Sequence, residues 1–335
     1  MSKKQADIVA VAKSAKVSIS TVSRSFNHPH LVNPATRKKI DAAIKRLGYI
    51  RNRAAQSMHG RRSGTIGFIV PTIDHAIFAE VVQSFSEAVE AEGFTILMAS
   101  HGYDLTREYA VLRKFLEHRV DAIALIGLDH SEDTFQLIEQ QDIPALAIWN
   151  YDPNSRLSCV GTDNFEAGRM AAAHLVDLGH TDIGMIFPST ADNDRAKGRF
   201  DGAMSVLGEI RPEWSLQVPY SISKAKAACA ELLQGDHPPT ALLCGNDVIA
   251  QGAVFAAHSV GVSVPDALSI IGIGDFKGSE DMEPALTTIR IPARRIGEVA
   301  GKLIVSLVVD DEHELQRMQI TQSEVIRATT APNQS

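Results

Sequence analysis

From Thr65 onward, short apolar runs alternate with longer stretches in which apolar residues recur three and four apart. That alternation predicts parallel β-sheet covered by helices on both faces, because each parallel strand needs a crossover before the next. Strands are expected at residues 65–70, 94–99, 121–126, 145–149, 183–187, 240–244 and 268–273. A helix is expected through Phe78, Val81, Val82, Phe85 and Val89 to Gly93. Others are expected from Asp163 to Leu178 and over residues 194–207 and 293–308. About 270 residues is long for one such sheet, so two lobes are expected, with the break near residues 159–163.

The first 62 residues are of another kind. They hold fourteen Lys and Arg against Asp7 and Asp41, a net charge of +12, while the whole chain stands at −7 and the remainder therefore at −19. A basic head on an acidic body points to a polyanionic partner for the head alone. The pattern within the head is that of folded helices. Asp7 can cap a helix with Ile8, Val9, Val11 and Ala12 on its apolar side. After a short turn, Ser18 can cap a second helix running to Phe26. Asn33, Pro34 and Gly48 punctuate a third, whose stripe is Ile40, Ala43, Ile44 and Leu47. Two short helices joined by a tight turn are the layout of a DNA-reading helix-turn-helix.

The runs Val17-Ser18-Ile19-Ser20-Thr21-Val22-Ser23-Arg24, then Asn27, then Val32-Asn33-Pro34-Ala35-Thr36-Arg37, then Leu47-Gly48-Tyr49-Ile50, resemble the lactose-repressor family of bacterial transcription regulators. The resemblance spans essentially the whole chain. It implies a small all-α helix-turn-helix headpiece (1–50), a hinge helix and linker (51–62), and a two-lobed α/β periplasmic-binding-protein-like domain (63–335) for effector binding and dimerisation; by the same resemblance the chain crosses between lobes more than once, with a return crossing at residues 287–292 and lobes of about 63–161 with 293–320 and about 162–290 with 321–330. By resemblance, the second helix enters the major groove with Ile19, Ser20 and Arg24 at base-reading positions. Arg24 can fork onto guanine, or hold a phosphate without reading sequence. Thr21, Ser23 and Asn27 would hold phosphates or the local fold. In the hinge, Arg53, Ala55 and Met58 match the family's minor-groove contacts, with Met58 in the place of the usual wedging Leu. Two departures stand out: Arg51 replaces the usual Pro, and Lys16 replaces a Gly where a positive φ would be strained.

The same resemblance places an effector in the cleft at strand C-terminal ends. Arg199, Asn246 and Asp275 occupy effector positions, Asp275 as an acceptor of sugar hydroxyls. His75, Phe78, Asn150 and Tyr220 are further candidates. Arg195 lies one helical turn from Arg199, so both could reach one anionic group. With 78–81, 101–103 and 163–167, this is similar to the gluconate-repressor branch and implies a sugar-acid effector. A neutral sugar is the other reading.

A repressor that binds a pseudo-palindromic operator as a homodimer, with effector changing operator affinity, is therefore expected. The sign, inducer or corepressor, is open. A sugar-binding or sugar-transforming protein with an incidental basic tail is the alternative. Residues 327–335 carry no leucine heptad, so a dimer rather than a tetramer is expected. No apolar run approaches twenty residues and no secretory signal opens the chain, so the expectation is a cytoplasmic protein that meets no membrane. Cys159, Cys229 and Cys244 are widely spaced, the histidines do not group as ligands, and no phosphate-binding or nucleophile motif occurs. No metal, cofactor or enzymatic activity is expected.

Overall fold

The computed structural model describes residues 6–50, 62–73, 76–191, 193–310 and 314–333. The chain separates into two compact units, Met1–Ser63 and Gly64–Ser335.

Among the described residues, the first unit packs three α-helices around a small apolar centre. In α1 (Ile8–Ala15), Asp7 accepts a hydrogen bond from the Ala10 amide at 2.8 Å. Lys16 ends the helix at φ 56°, the left-handed conformation its sequence position foretold. Ser18 accepts from the Thr21 amide at 3.1 Å and starts α2 (Ile19–Asn27). Asn33 caps α3 (Pro34–Leu47), which Gly48 closes at φ 60°. Val11, Ala12, Ala15, Val22, Ile40 and Ala43 form the core. So small a core is held in place by its caps as much as by its apolar area, each cap contributing about 1 kcal/mol.

The second unit contains two six-stranded sheets. The first has the order β11-β5-β4-β3-β1-β2, with β1 (Thr65–Val70), β2 (Thr95–Ser100), β3 (Ala122–Ile126), β4 (Ala145–Asn150), β5 (Ser158–Thr162) and β11 (Arg317–Gln319), all pairings parallel. Its helices are α4 (Ala76–Ala91), α5 (Leu105–Glu117), α6 (Glu132–Gln141) and α11 (Ala293–Val309). The second has the order β12-β10-β9-β8-β6-β7, with β6 (Ile183–Phe187), β7 (Ser215–Gln217), β8 (Ala241–Cys244), β9 (Ser269–Gly274), β10 (Thr287–Arg290) and an antiparallel β12 (Ser323–Val325). Its helices are α7 (Asn164–Asp177), α8 (Asp194–Leu207), α9 (Ile222–Leu233) and α10 (Asp247–Val260).

Burial on both faces explains why the central strands, such as β1, β3, β4, β6, β8 and β9, read as continuous apolar runs rather than alternating ones. On β1, Ile66, Phe68 and Val70 join the core with Val81 and Phe85 of α4, whereas Ile69 joins Leu112 and Phe115 of α5. In the second sheet, Met185 and Leu243 face Ala171 and Ala203, whereas Ile186 and Leu242 face Cys229 and Ala253.

The chain passes between the lobes three times: after β5, after β10, and between β11 and β12. Thr162 Oγ1 donates to Ile320 O at 2.9 Å and staples the first crossing to the third. Residues 287–290 differ from the sequence expectation. They form β10, in parallel register with β9, so the crossing begins only at Ile291 and Pro292. The cause is burial: Thr287, Thr288 and Ile289 are fully buried within the second lobe.

Candidate functional site

Two surfaces carry the candidate residues. On α2, Ile19 (46% exposed), Ser20 and Arg24 face outward, while Val22 is buried and Ser25 returns its hydroxyl to Val22 O at 2.7 Å. Thr21 and Ser23 are half-buried, and Asn27 is the last residue of the helix. The Thr21 hydroxyl lies 2.7 Å from Ser18 Oγ and the Ser20 hydroxyl 2.8 Å from it, so both belong to the cap network. The exposed Ile19 is an apolar side chain with no core to join, which suits contact with a thymine methyl. Arg53, Ala55 and Met58 lie outside the described residues. Arg24→Ala is expected to cost about 1–3 kcal/mol per half-site and to relax preference at one symmetric operator position. Affinities across a panel of operator variants check this; uniform weakening on every sequence would make Arg24 a phosphate contact.

The second surface is the cleft, where strands of both sheets end. Arg199, on α8, is only 1% exposed. Its Nε donates to Asn164 Oδ1 at 2.8 Å and its Nη1 to Gly245 O at 3.0 Å. Asn164 in turn donates to Asn150 Oδ1 at 3.2 Å, and Asn150 Nδ2 donates to Asp194 Oδ2 at 2.9 Å. A hydrogen-bonded line thus runs from the end of β4 in one lobe through α7 to α8 in the other. Asn246 uses its Oδ1 to cap α10, accepting from the Ile249 amide at 3.0 Å. Arg199 Nη2, Asn246 Nδ2 and Trp149 Nε1 are buried and have no hydrogen-bond partner among the described residues. Leaving a buried donor unpaired costs roughly 1–3 kcal/mol. Arg199 and Asn246 stand together, since Arg199 bonds the carbonyl of the residue just before Asn246. Burial lowers the Arg199 pKa to about 10, so the side chain is still a cation at neutral pH.

Asp194 sits at the first turn of α8 and reaches into the other lobe. Its Oδ2 accepts from the amides of Leu128 (2.7 Å) and Asp129 (3.3 Å) as well as from Asn150. Its Oδ1 accepts from Arg195 Nη1 at 2.8 Å. Phe78 is buried edge-to-face on Trp149, with ring centroids 5.6 Å apart, and Arg195 stands 5.9 Å from the centre of the Phe78 ring. The Tyr220 hydroxyl accepts from Asn193 Nδ2 at 2.9 Å. His75 lies outside the described residues.

Two expected roles need correction. Arg195 does not join Arg199 on a shared open position: its guanidinium is engaged by the Asp194 carboxylate and the Tyr103 hydroxyl, which neutralises it locally. Asp275 is not a free acceptor for hydroxyls. Arg290 Nε meets one of its oxygens at 2.6 Å and Arg327 Nη1 the other at 2.7 Å. Burial raises the Asp275 pKa, but the hydrogen bonds from Arg327 and Arg290 outweigh this and hold it below the usual carboxylate range. Its observed work is to tie the end of β9 to β10 and to the C-terminal segment. Asn164, Trp149 and Asp194 were missed as site residues. Only Trp149 carried a visible signal, an indole at the C-terminal end of a strand.

Residues 7–52 match the family described as bacterial regulatory proteins, lacI family, and residues 172–330 match the periplasmic binding protein-like domain. The repressor PurR of Klebsiella pneumoniae is 30% identical over 332 residues, covering 97% of each chain. The chain belongs to the lacI family. Among solved structures, the lac repressor dimer bound to operator and the anti-inducer ONPF superposes with a TM-score of 0.85 at 25% identity, over 98% of this chain and 100% of that one. The transcription regulator GntR of Chromobacterium violaceum gives 0.75 at 26% identity, over 79% of this chain and 99% of that one. This lacI-family protein is a transcriptional repressor, with a helix-turn-helix DNA-binding unit and a periplasmic-binding-protein-like body.

Proposed function

We propose that this repressor binds a pseudo-palindromic operator as a homodimer, and that a sugar acid such as gluconate, held in the cleft, changes its operator affinity. The observation that carries the effector reading is Arg199. It is a buried cation with one guanidinium nitrogen unpaired, and among the described residues no carboxylate lies within ion-pair distance of it. An uncompensated buried charge is costly, and a ligand carboxylate would offset that cost. Asn246 Nδ2 beside it offers a second donor and no acceptor, which suits an oxygen-rich ligand. The homodimer and operator reading is supported by the lac repressor dimer on operator, which this chain matches over nearly its whole length.

Isothermal calorimetry tests the effector. D-gluconate should bind the wild-type protein, and Arg199→Gln should weaken it by about 1.5–3 kcal/mol, the worth of a hydrogen bond to a charged group. D-glucose should bind weakly to both proteins. No gluconate binding to the wild type would end the sugar-acid reading and leave the repressor intact. A neutral sugar is the second reading, favoured by Arg195, whose charge is spent on Asp194; it predicts equal losses for charged and neutral ligands.

A further inference from the structure

Asp194 carries more hydrogen bonds than a helix-capping carboxylate needs, and three of its donors belong to the opposite lobe. The amides of Leu128 and Asp129 point at it only because the loop after β3 is folded in one way. Gly127 takes φ +96° there, and a Cβ at that position would lie 2.7 Å from Arg195 Nη1 and 3.0 Å from Asp194 Oδ2. The loop is held from beneath by His130. Its Nε2 lies 3.2 Å from Gly127 O, and its Nδ1 is 3.0 Å from each oxygen of Glu108. Both side chains are buried, His130 at 0% and Glu108 at 1% exposure.

The chemistry of that contact is restrictive. A carbonyl only accepts, so Nε2 must carry a proton to bond Gly127 O. The bare lone pair of Nδ1 would then face a carboxylate, so a second proton must lie between Nδ1 and Glu108. Glu108 also faces His101, whose Nε2 is 3.9 Å from its other side. His101 begins the loop that carries Tyr103, the hydroxyl partner of Arg195. One buried carboxyl on α5 therefore stands behind both lobe-one loops that receive the Asp194–Arg195 pair.

We propose that Glu108 and His130 are positioning residues for lobe closure: the proton they share fixes the Gly127–Asp129 amides as a receptor for Asp194, and so sets how firmly the lobes hold together around whatever the cleft binds. The inference is independent of which effector the cleft takes.

Hydrogen–deuterium exchange on the full-length protein tests it without any ligand. Asp194→Asn should speed exchange of the Leu128 and Asp129 amides about tenfold, because the acceptor weakens from carboxylate to amide oxygen. Glu108→Ala should do the same at this loop while β6 amides keep their protection. Glu108→Gln is the discriminating variant. Its amide can donate to the Nδ1 lone pair of a neutral His130, so protection should return to within about threefold of wild type. Wild-type protection of Leu128 and Asp129 in Glu108→Ala, or a Gln variant as exposed as the Ala one, would overturn the proposal. Should Glu108→Ala fail to fold, His130→Leu replaces it, since its side chain can serve neither partner. That variant must also speed exchange at the loop for the proposal to stand. Gly127→Ala tests the clamp from the other side by placing a methyl against the Asp194–Arg195 pair. Unchanged exchange there would likewise overturn it.

Discussion

Between 50 and 200 mM monovalent salt, operator affinity should fall by about 10³ to 10⁵. The basis is the +12 charge of the first 62 residues, set against −19 in the rest of the chain. If two DNA-binding units together neutralise roughly 6–10 phosphates, the released counterions give a log–log slope of about −5 to −9. The acidic body cannot supply this and opposes it by repulsion, so the slope belongs to the head. Fluorescence anisotropy of a labelled operator duplex across a salt series measures it directly. A slope near zero would mean that the basic residues do not meet phosphates, and the reading of the head would fall with it.

The second large effect concerns the packing of α7 on α8. Gly168 of α7 abuts the carbonyl of Arg199, and Gly202 of α8 abuts the carbonyl of Phe165; a Cβ at either position would overlap that backbone oxygen. Helix propensity alone would make Gly→Ala stabilising by about 1 kcal/mol. Forced overlap in a packed interface costs typically 1–3 kcal/mol or more, and backbone cannot swing aside as a side-chain tip can. The contact should win. Gly168→Ala and Gly202→Ala should each lower the urea midpoint, with less than additive loss in the double variant because the sites share one interface. On the proposed reading of Arg199 as the effector's anchor, affinity for gluconate should drop with stability, since Arg199 and Asn164 lie on this same helix pair. An unchanged or raised midpoint would show that the helices part without cost.

The α/β layers were legible because fully buried parallel strands are continuous apolar runs, and residues 65–70 and 183–187 emerge as β1 and β6 with no shift of boundary. The edge strands β7, β11 and β12 were not. Each has three residues, too few for any period to register, and their pairing is set by partners far away, as when Arg317 lies against Cys159. The helix caps were legible because their chemistry is local: Asp7, Ser18 and Asn33 each bond an amide two or three residues on. The cleft was legible only in part for the converse reason. Arg199 and Asn246 follow motifs that position them along one helix or turn. What occupies each functional group is decided across the fold: Asp194 meets Leu128, and Asp275 meets Arg327. Charges counted along α8 could not show that Arg195 would be matched by its own neighbour.

The three crossings have a consequence for how the body can be built and dismantled. Neither lobe is a continuous stretch of chain, so no single cut in the gene releases one: a product ending after β10 would leave the first sheet without β11, and one beginning at α7 would strand α11 and β11 with nothing to cover. Motion is limited in the same way. Three straps, two of them stapled through Thr162 and Ile320, oppose sliding and separation and leave rotation about the strap line as the soft direction. The lobes behave as a book bound at three points along its spine, able to open and twist but not to shed a cover.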